Sequence, residues 1–274
     1  MLALSFLGKA AITFLFATCM VGFGRVLFGR WMKALDPFAE VGVAGILGLG
    51  TVGLLTLPIG LLPNGLRWGV FLVWGCAAIG AWGLPWTRSV HPWFSRKATQ
   101  LERIFGLLLG TVLLLCIGIA LVSVITPSVQ TDWDSLSYHL AVPKMWLKQG
   151  QIAPVSFIHH SNFPFTVDNL YIWGLSWGDQ AGAKAFQLCF YVLGIFSVFG
   201  FARQRYGAMA GGWAALAFAT VPVILWEAGT GYIDTAHGLY TGLGVVLAIM
   251  SIEEFQSGKI QNSLWPLAAL CLGF

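Results

Sequence analysis

Between Thr126 and Asp179 the chain gathers four of its eleven acidic residues and three of its five histidines, in an interval reading TPSVQTDWDSLSYHLAVPKMWLKQGQIAPVSFIHHSNFPFTVDNLYIWGLSWGD. Asp132 and Asp134 flank Trp133, Tyr138 stands one helical turn after Asp134, and His139 is next to it. A carboxylate held at a water–membrane boundary is partly desolvated, which raises its pKa toward the range of a general base. That chemistry is expected first of Asp134 and second of Asp132. Lys144, His139, His159 and His160 supply cations for a substrate phosphate, with Asn162 beside them. A second group, Glu227, Asp234 and His237, sits at the mouth of a later apolar run and is expected to face the same cavity as Asp134. Acids and histidines at membrane depth tend to be functional.

Each of these residues also has a purely structural reading. Asp134 can be the N-cap of the helix expected over Ser135 to Val142. The His159–His160–Asn162 group reads equally as a polar turn before an interfacial helix ending in Leu170, Tyr171 and Trp173. Asp234 can simply complement a helix dipole. No cofactor is certain; a divalent metal near Asp132, Asp134 and His139 is an open alternative, although no established ligand spacing supports it.

The elements that must position these residues are membrane helices. Hydrophobic residues make up 57% of the 274, charged residues 9%, and mean hydropathy is +0.78. This excludes an ordinary soluble domain, whose single core could not bury so much apolar chain. The apolar runs are continuous and near the 20 or so residues a spanning helix needs, so an all-α polytopic bundle is expected. Seven full spans are predicted, over Leu7 to Phe23, Val41 to Leu62, Trp68 to Leu84, Ile104 to Ile125, Ala181 to Ala202, Ala208 to Trp226 and Ile233 to Ile252. An eighth begins near Leu264 and is too short to cross by Phe274, so the sequence is expected to be the amino-terminal part of a longer chain. The first run lacks a small-x-small cleavage pattern and is read as a retained helix.

Arg25, Arg30 and Lys33 follow the first span, Arg88, Arg96, Lys97 and Arg103 the third, and Arg203 with Arg205 the fifth. Their alternation places one end of the bundle in the cytoplasm. The amino terminus, the Pro63–Arg67 turn, the outer loop 126–179 between spans four and five, and the Glu227–Tyr232 turn then share the outward side. The net charge of +4 describes topology and gives no reason to invoke nucleic acid. Cys19, Cys76, Cys116, Cys189 and Cys271 all lie in apolar runs and read as small hydrophobes. Gly207 with Gly211 and Gly238 with Gly242 are expected to let helix backbones approach closely.

Within the loop, Pro143 is expected to start a second short helix that Gly150 ends. Leu136, Leu140, Met145, Trp146 and Leu147 would lie in the membrane surface while Tyr138, His139, Lys144 and Lys148 face water or lipid phosphate. Asp132-Trp133-Asp134 also matches an Asp-x-Asp metal and nucleotide-sugar motif, but nucleotide-sugars are cytoplasmic and this loop faces outward.

An apolar helix followed by Asp-Trp-Asp-Ser-Leu-Ser-Tyr-His-Leu-x-x-Pro-Lys-x-Trp-Leu-x-x-Gly-x-Ile, then His-x-Asn-Phe-Pro, Leu-Tyr and Tyr-x-Asp-Thr-Ala, resembles the GT-C glycosyltransferase superfamily. It is most similar to the bacterial branch related to the protein O-mannosyltransferases and the lipid A aminoarabinose transferases. The resemblance covers roughly Ile104 to Glu254, and it divides the chain into added helices over 1–103 and an incomplete core over 104–274. It implies transfer of a sugar from a polyprenyl-phosphate donor to a lipid, glycan or protein hydroxyl on the outer face of the cell membrane, usually with inversion. The family's loop acid falls on Asp134, or less readily Asp132, and its following aromatic on Tyr138. Ser135 stands where relatives often have a second acid, and His159 or His160 stands near the place of their Lys-Pro pair. A transporter or flippase with a proton-coupled gate is the reading from another class; it would call for ionisable residues near the helix midplanes, where this sequence has almost none. A non-catalytic relative is a third.

Overall fold

The computed structural model describes residues 2–86, 99–163, 165–258 and 264–274. Arg88, Arg96 and Lys97 lie outside the described residues. Among those described, the regular elements are all helical: α1 (Leu2–Phe28), α2 (Pro37–Gly60), α3 (Gly65–Gly83), α4 (Gln100–Ile125), α5 (Ala141–Gln149), α6 (Asp168–Tyr206), α7 (Ala208–Thr220), α8 (Pro222–Glu227), α9 (Asp234–Gln256) and α10 (Trp265–Gly273). Local chemistry sets several boundaries. Asp36 accepts from Phe38 N at 2.9 Å with Pro37 opening α2, and Thr99 with Glu102 forms a capping box at α4. Gly150, at φ +74°, ends α5 where a side chain would be strained.

Six helices, α1, α2, α3, α4, α6 and α9, are long and apolar enough to cross a membrane. The run expected as one span over Ala208 to Trp226 is instead divided. Val221 is extended at ψ 119° and Pro222 begins α8, because proline disfavours helical backbone in the residue before it. The helix after Asp179, whose φ of 54° and ψ of −155° are not helical, covers the fifth expected span over Ala181 to Ala202; it is residues 168–178, expected as loop, that are helical instead. A Cβ on Gly174 would lie 2.6 Å from Ala183 Cα, so residues 168–178 fold back against the helix that follows.

Helix packing around α1 rests on glycines that composition alone did not single out. A Cβ on Gly22 would stand 2.0 Å from Gly80 O, and one on Gly24 would stand 1.9 Å from Ala44 O. Backbones of α1, α3 and α2 therefore touch, which a side chain would prevent. The expected pairs do not act this way. Gly207, Gly238 and Gly242 have open space beside them, and only Gly211 of the four meets another segment, 2.9 Å from Phe199 O. All five cysteines are free and buried, as small hydrophobes are.

The turns sort to the two ends of the bundle as the sequence predicts. At one end, Ile152 N donates to Gly60 O at 2.6 Å, Leu66 N to Gly150 O at 3.1 Å, and Gly231 N to Ser135 Oγ at 2.9 Å. These tie the α2–α3 turn, the 126–167 loop and the α8–α9 turn together. At the other end Arg25 pairs with Glu40 at 2.7 Å, Arg203 with Asp36 at 2.7 Å, and Arg205 with Glu253 at 2.5 Å.

The loop itself departs from a flat interfacial layer. Leu140 and Trp146 are buried, and Trp146 Nε1 donates to Ala153 O at 2.7 Å. The apolar face of α5 is satisfied by the bundle, so of the residues expected in the membrane surface Leu136 is the exposed one. The helix expected over Ser135 to Val142 is a π-helical turn, Ser135–His139, and α5 starts at Ala141 with Pro143 inside its first turn.

Candidate functional site

The loop re-enters the bundle before α6 begins. Asn169 Nδ2 donates to Gly53 O at 3.0 Å, seven residues short of the end of α2, which is about 10 Å of helix. Trp173 Nε1 donates to Thr56 Oγ1 at 2.8 Å, and at the far end of this segment Trp177 Nε1 reaches Thr13 Oγ1 at 2.9 Å. Asp168, at the deep end, is consequently 1% exposed. Irregular backbone at this depth is tolerated because protein surrounds it.

A cavity of about 380 Å³ opens at this recess. Asp134, Tyr138 and His139 come to it from the π-helical turn, Asp168 from the start of α6, and Asp234 and His237 from the first turn of α9. Tyr240 and Phe274 add an aromatic wall, and Phe163 and Phe165 another from the loop. Five of the residues singled out in the sequence, drawn from segments about a hundred residues apart, thus share one space. Tyr138 and His139 come to it as neighbours on the π-helical turn, with ring centroids 4.1 Å apart.

The deepest polar contact is between His139 Nδ1 and Asp168 Oδ1, 2.6 Å apart and both buried. Beside it, Asp134 caps nothing: its side chain makes no hydrogen bond to the following backbone, contrary to the N-cap reading. Instead it lies beside Tyr138, whose hydroxyl pKa is pushed up to about 12 by burial and then by the Asp134 charge. Tyr138 therefore stays protonated next to the half-buried carboxylate at the cavity. Asp134 N lies 3.4 Å from Tyr232 Oη, and Tyr171 Oη donates to Tyr232 O at 2.5 Å, which fixes the α8–α9 turn against the loop.

Glu227 is buried and accepts from both Thr235 N at 2.8 Å and Thr235 Oγ1 at 2.6 Å, so it caps α9 and supports Asp234 from behind. Burial raises its carboxyl above the usual range, against the lowering effect of the two hydrogen bonds. Asp234 and His237 are exposed to the cavity on the same helical turn.

The remaining predicted residues lie elsewhere. Asp132 is buried away from the cavity, within electrostatic reach of Lys184. Lys184 is 1% exposed and donates to Ser123 O at 2.7 Å and Thr126 O at 2.8 Å, closing the end of α4 where the loop departs. His160 stacks on Tyr138 at 4.4 Å with rings 8° from parallel, backing the cavity without lining it. His159 and Asn162 form an exposed 3-10 turn in which Asn162 Nδ2 donates to His159 O at 3.0 Å. Lys144 is exposed on α5 and does not reach the cavity. Among the described residues, no group of three or more His, Cys, Asp or Glu side chains is arranged to hold a metal ion.

Asp168 is the partner that sequence reasoning did not assign. The usable signal is its place just before the apolar run Leu170–Leu175, where a carboxylate would be buried and so in need of a partner. No family model matches the chain, and no curated protein or solved structure matches it.

Proposed function

We propose that the chain is a multi-pass membrane glycosyltransferase that moves a sugar from a polyprenyl-phosphate donor to an acceptor hydroxyl, with Asp134 as general base. One observation carries this reading: a recessed cavity at the loop end of an apolar bundle brings Asp134, Tyr138 and His139 together with Asp234 and His237. A lipid-linked donor keeps its phosphosugar at the membrane boundary, and a cavity that opens there can receive it while the lipid tail stays among the helices. In the reaction, Asp134 takes the proton of the acceptor hydroxyl as that oxygen bonds to the anomeric carbon. The bond between the anomeric carbon and the phosphate oxygen breaks, and its electron pair leaves with the lipid phosphate. Tyr138, protonated beside Asp134, is placed to orient the carboxylate.

In the proposed topology the divided run 208–226 crosses along with the six long helices, and positive residues at the opposite end place the cavity on the outward side of the cell membrane. Of the buried charged residues on these helices, Glu40 pairs with Arg25 near the start of α2, Lys184 closes the end of α4, and Asp168 lies at the cavity, paired with His139. Glu40 and Lys184 are thus spent on helix ends, which favours transfer chemistry at the cavity over transport.

The test is sugar transfer from radiolabelled polyprenyl-phosphate donors in membranes carrying the chain. Asp134→Asn is expected to lose about 10²- to 10⁴-fold in rate at unchanged expression. Equal transfer by Asp134→Asn and wild type would remove Asp134 as base, and no transfer by wild type across a broad donor panel would remove the reading.

A further inference from the structure

The cavity is short of positive charge. Among the described residues its lining holds the carboxylates of Asp134, Asp168 and Asp234 and no lysine or arginine. Five lining side chains can donate to a phosphate, Tyr138, His139, Thr166, His237 and Tyr240; Tyr240 Oη already donates to Ile46 O at 2.9 Å, and the Thr166 hydroxyl is neutral and brings no positive charge. Burial and the neighbouring Asp134 charge keep the Tyr138 hydroxyl protonated, and that carboxylate competes with a phosphate for it. His237 is exposed, and among the described residues no carboxylate is bonded to its ring. His139 differs on both counts. Its Nδ1 is held at 2.6 Å by a buried carboxylate, which leaves Nε2 as the ring nitrogen available to the cavity.

Resting on the transferase reading, we infer that His139 binds the phosphate of the lipid-linked substrate through Nε2–H, with Asp168 as its positioning residue. Asp168 keeps the Nδ1 proton in place and stabilises the imidazolium that forms when the ring takes up a proton with the incoming phosphate. Burial makes the arrangement specific. Asp168 is 1% exposed, so water screens little of its interaction with the His139 ring it contacts at 2.6 Å. Atoms are conserved through the step: the ring gains one proton from solvent and shares it with a phosphate oxygen, and it returns that proton when the lipid phosphate leaves.

This inference makes a prediction opposite in sign to simple charge counting. Removing a carboxylate near an anion site should tighten anion binding if Asp168 acts only through its negative field. If Asp168 positions and charges His139, its removal should weaken binding. The experiment titrates a short-chain polyprenyl monophosphate into the full 274-residue chain in detergent, with the matching polyprenol and inorganic phosphate as separate probes. For the wild type, His139→Gln, Asp168→Asn and the double variant, thermal melting checks that each is folded.

The expected result is a loss of about tenfold in affinity for the polyprenyl monophosphate in Asp168→Asn, the scale at which a histidine ligand suffers when its orienting carboxylate is removed. His139→Gln should lose at least as much, and the double variant no more than His139→Gln alone. Polyprenol should bind all four proteins alike. Competition by inorganic phosphate alone would mark a free-phosphate site in place of a lipid headgroup. Equal binding by His139→Gln and wild type, or tighter binding by Asp168→Asn, overturns the inference. These outcomes are read from binding, so they are distinct from failure of the transferase reading, which is absence of sugar transfer by the wild type. Asp168→Glu provides the check against misfolding, because it restores the charge and is expected to recover part of the lost affinity.

Discussion

Replacing Lys184 with methionine removes the ammonium that closes α4, and the structure sets the scale of the effect. Two charge-assisted hydrogen bonds, to Ser123 O at 2.7 Å and Thr126 O at 2.8 Å, are lost. Bonds of this kind contribute about 1.5–3 kcal/mol each. Against that, methionine relieves the cost of burying the ammonium in a site where it is 1% exposed, several kcal/mol in typical cases. Of the carbonyls left behind, Ser123 O keeps the Thr126 Oγ1 donor at 2.9 Å while Thr126 O loses its Lys184 partner, and Asp132 loses the charge that faces it. The balance is a destabilisation of about 2 kcal/mol, or about 5 °C in apparent Tm. The assay is thermal unfolding in detergent of the wild type, Lys184→Met, Asp132→Asn and the double variant. Because the buried acid is the group stranded by the first change, the double variant is expected to recover about 1 kcal/mol relative to Lys184→Met. A Lys184→Met protein that melts at or above the wild type would refute the argument, as would strict additivity of the two changes.

Further expectations follow from packing and from burial. Gly80→Val should abolish a monodisperse preparation, since a Cβ there would lie 2.0 Å from Cys19 O, whereas Gly238→Ala, with open space beside it, should melt within about 1 °C of wild type or slightly higher. Size-exclusion profiles of the two variants decide this. Glu227 has a carboxyl raised by burial, so between the ordinary glutamate pKa and its raised folded value the native state holds more protons than the unfolded state. Stability contributed by this group is therefore present at low pH and lost as pH rises through that interval. Glu227→Gln keeps an acceptor for Thr235 and should show a shallower fall in Tm with rising pH; an unchanged slope would show that Glu227 does not set it.

Much of the architecture was legible from residue types because a bilayer imposes its own arithmetic. Continuous apolar runs must be helices, and positive residues mark one end; six long helices and the sorting of turns to two ends agree with that reading. Capping signals gave the local boundaries of α5 at Gly150 and the entry to α9 at Asp234. The candidate residues Asp134, Tyr138, His139, Asp234 and His237 were also readable, since polar groups are scarce in such a chain and stand out against it.

What sequence periodicity could not supply was depth and partnership, because these depend on contacts between segments far apart. Nothing local says that residues 168–178 turn back into the bundle, which requires Asn169 to find Gly53 and Trp173 to find Thr56 more than a hundred residues away. Nor does spacing reveal that α5 spends its apolar face on protein in preference to lipid, a choice made by the groove available beneath it. The close-packed glycines were likewise misplaced by motif, since a small residue matters only where another backbone actually arrives. Most consequentially, the sequence presents Asp132 and Asp134 as twins two residues apart, and the tertiary structure separates them: one carboxylate is buried near Lys184 and the other is turned toward the cavity beside Tyr138. Composition determines that the chain is a helical membrane protein with a polar pole; only the fold decides which of its few charges are spent on holding that pole together and which are left facing the cavity.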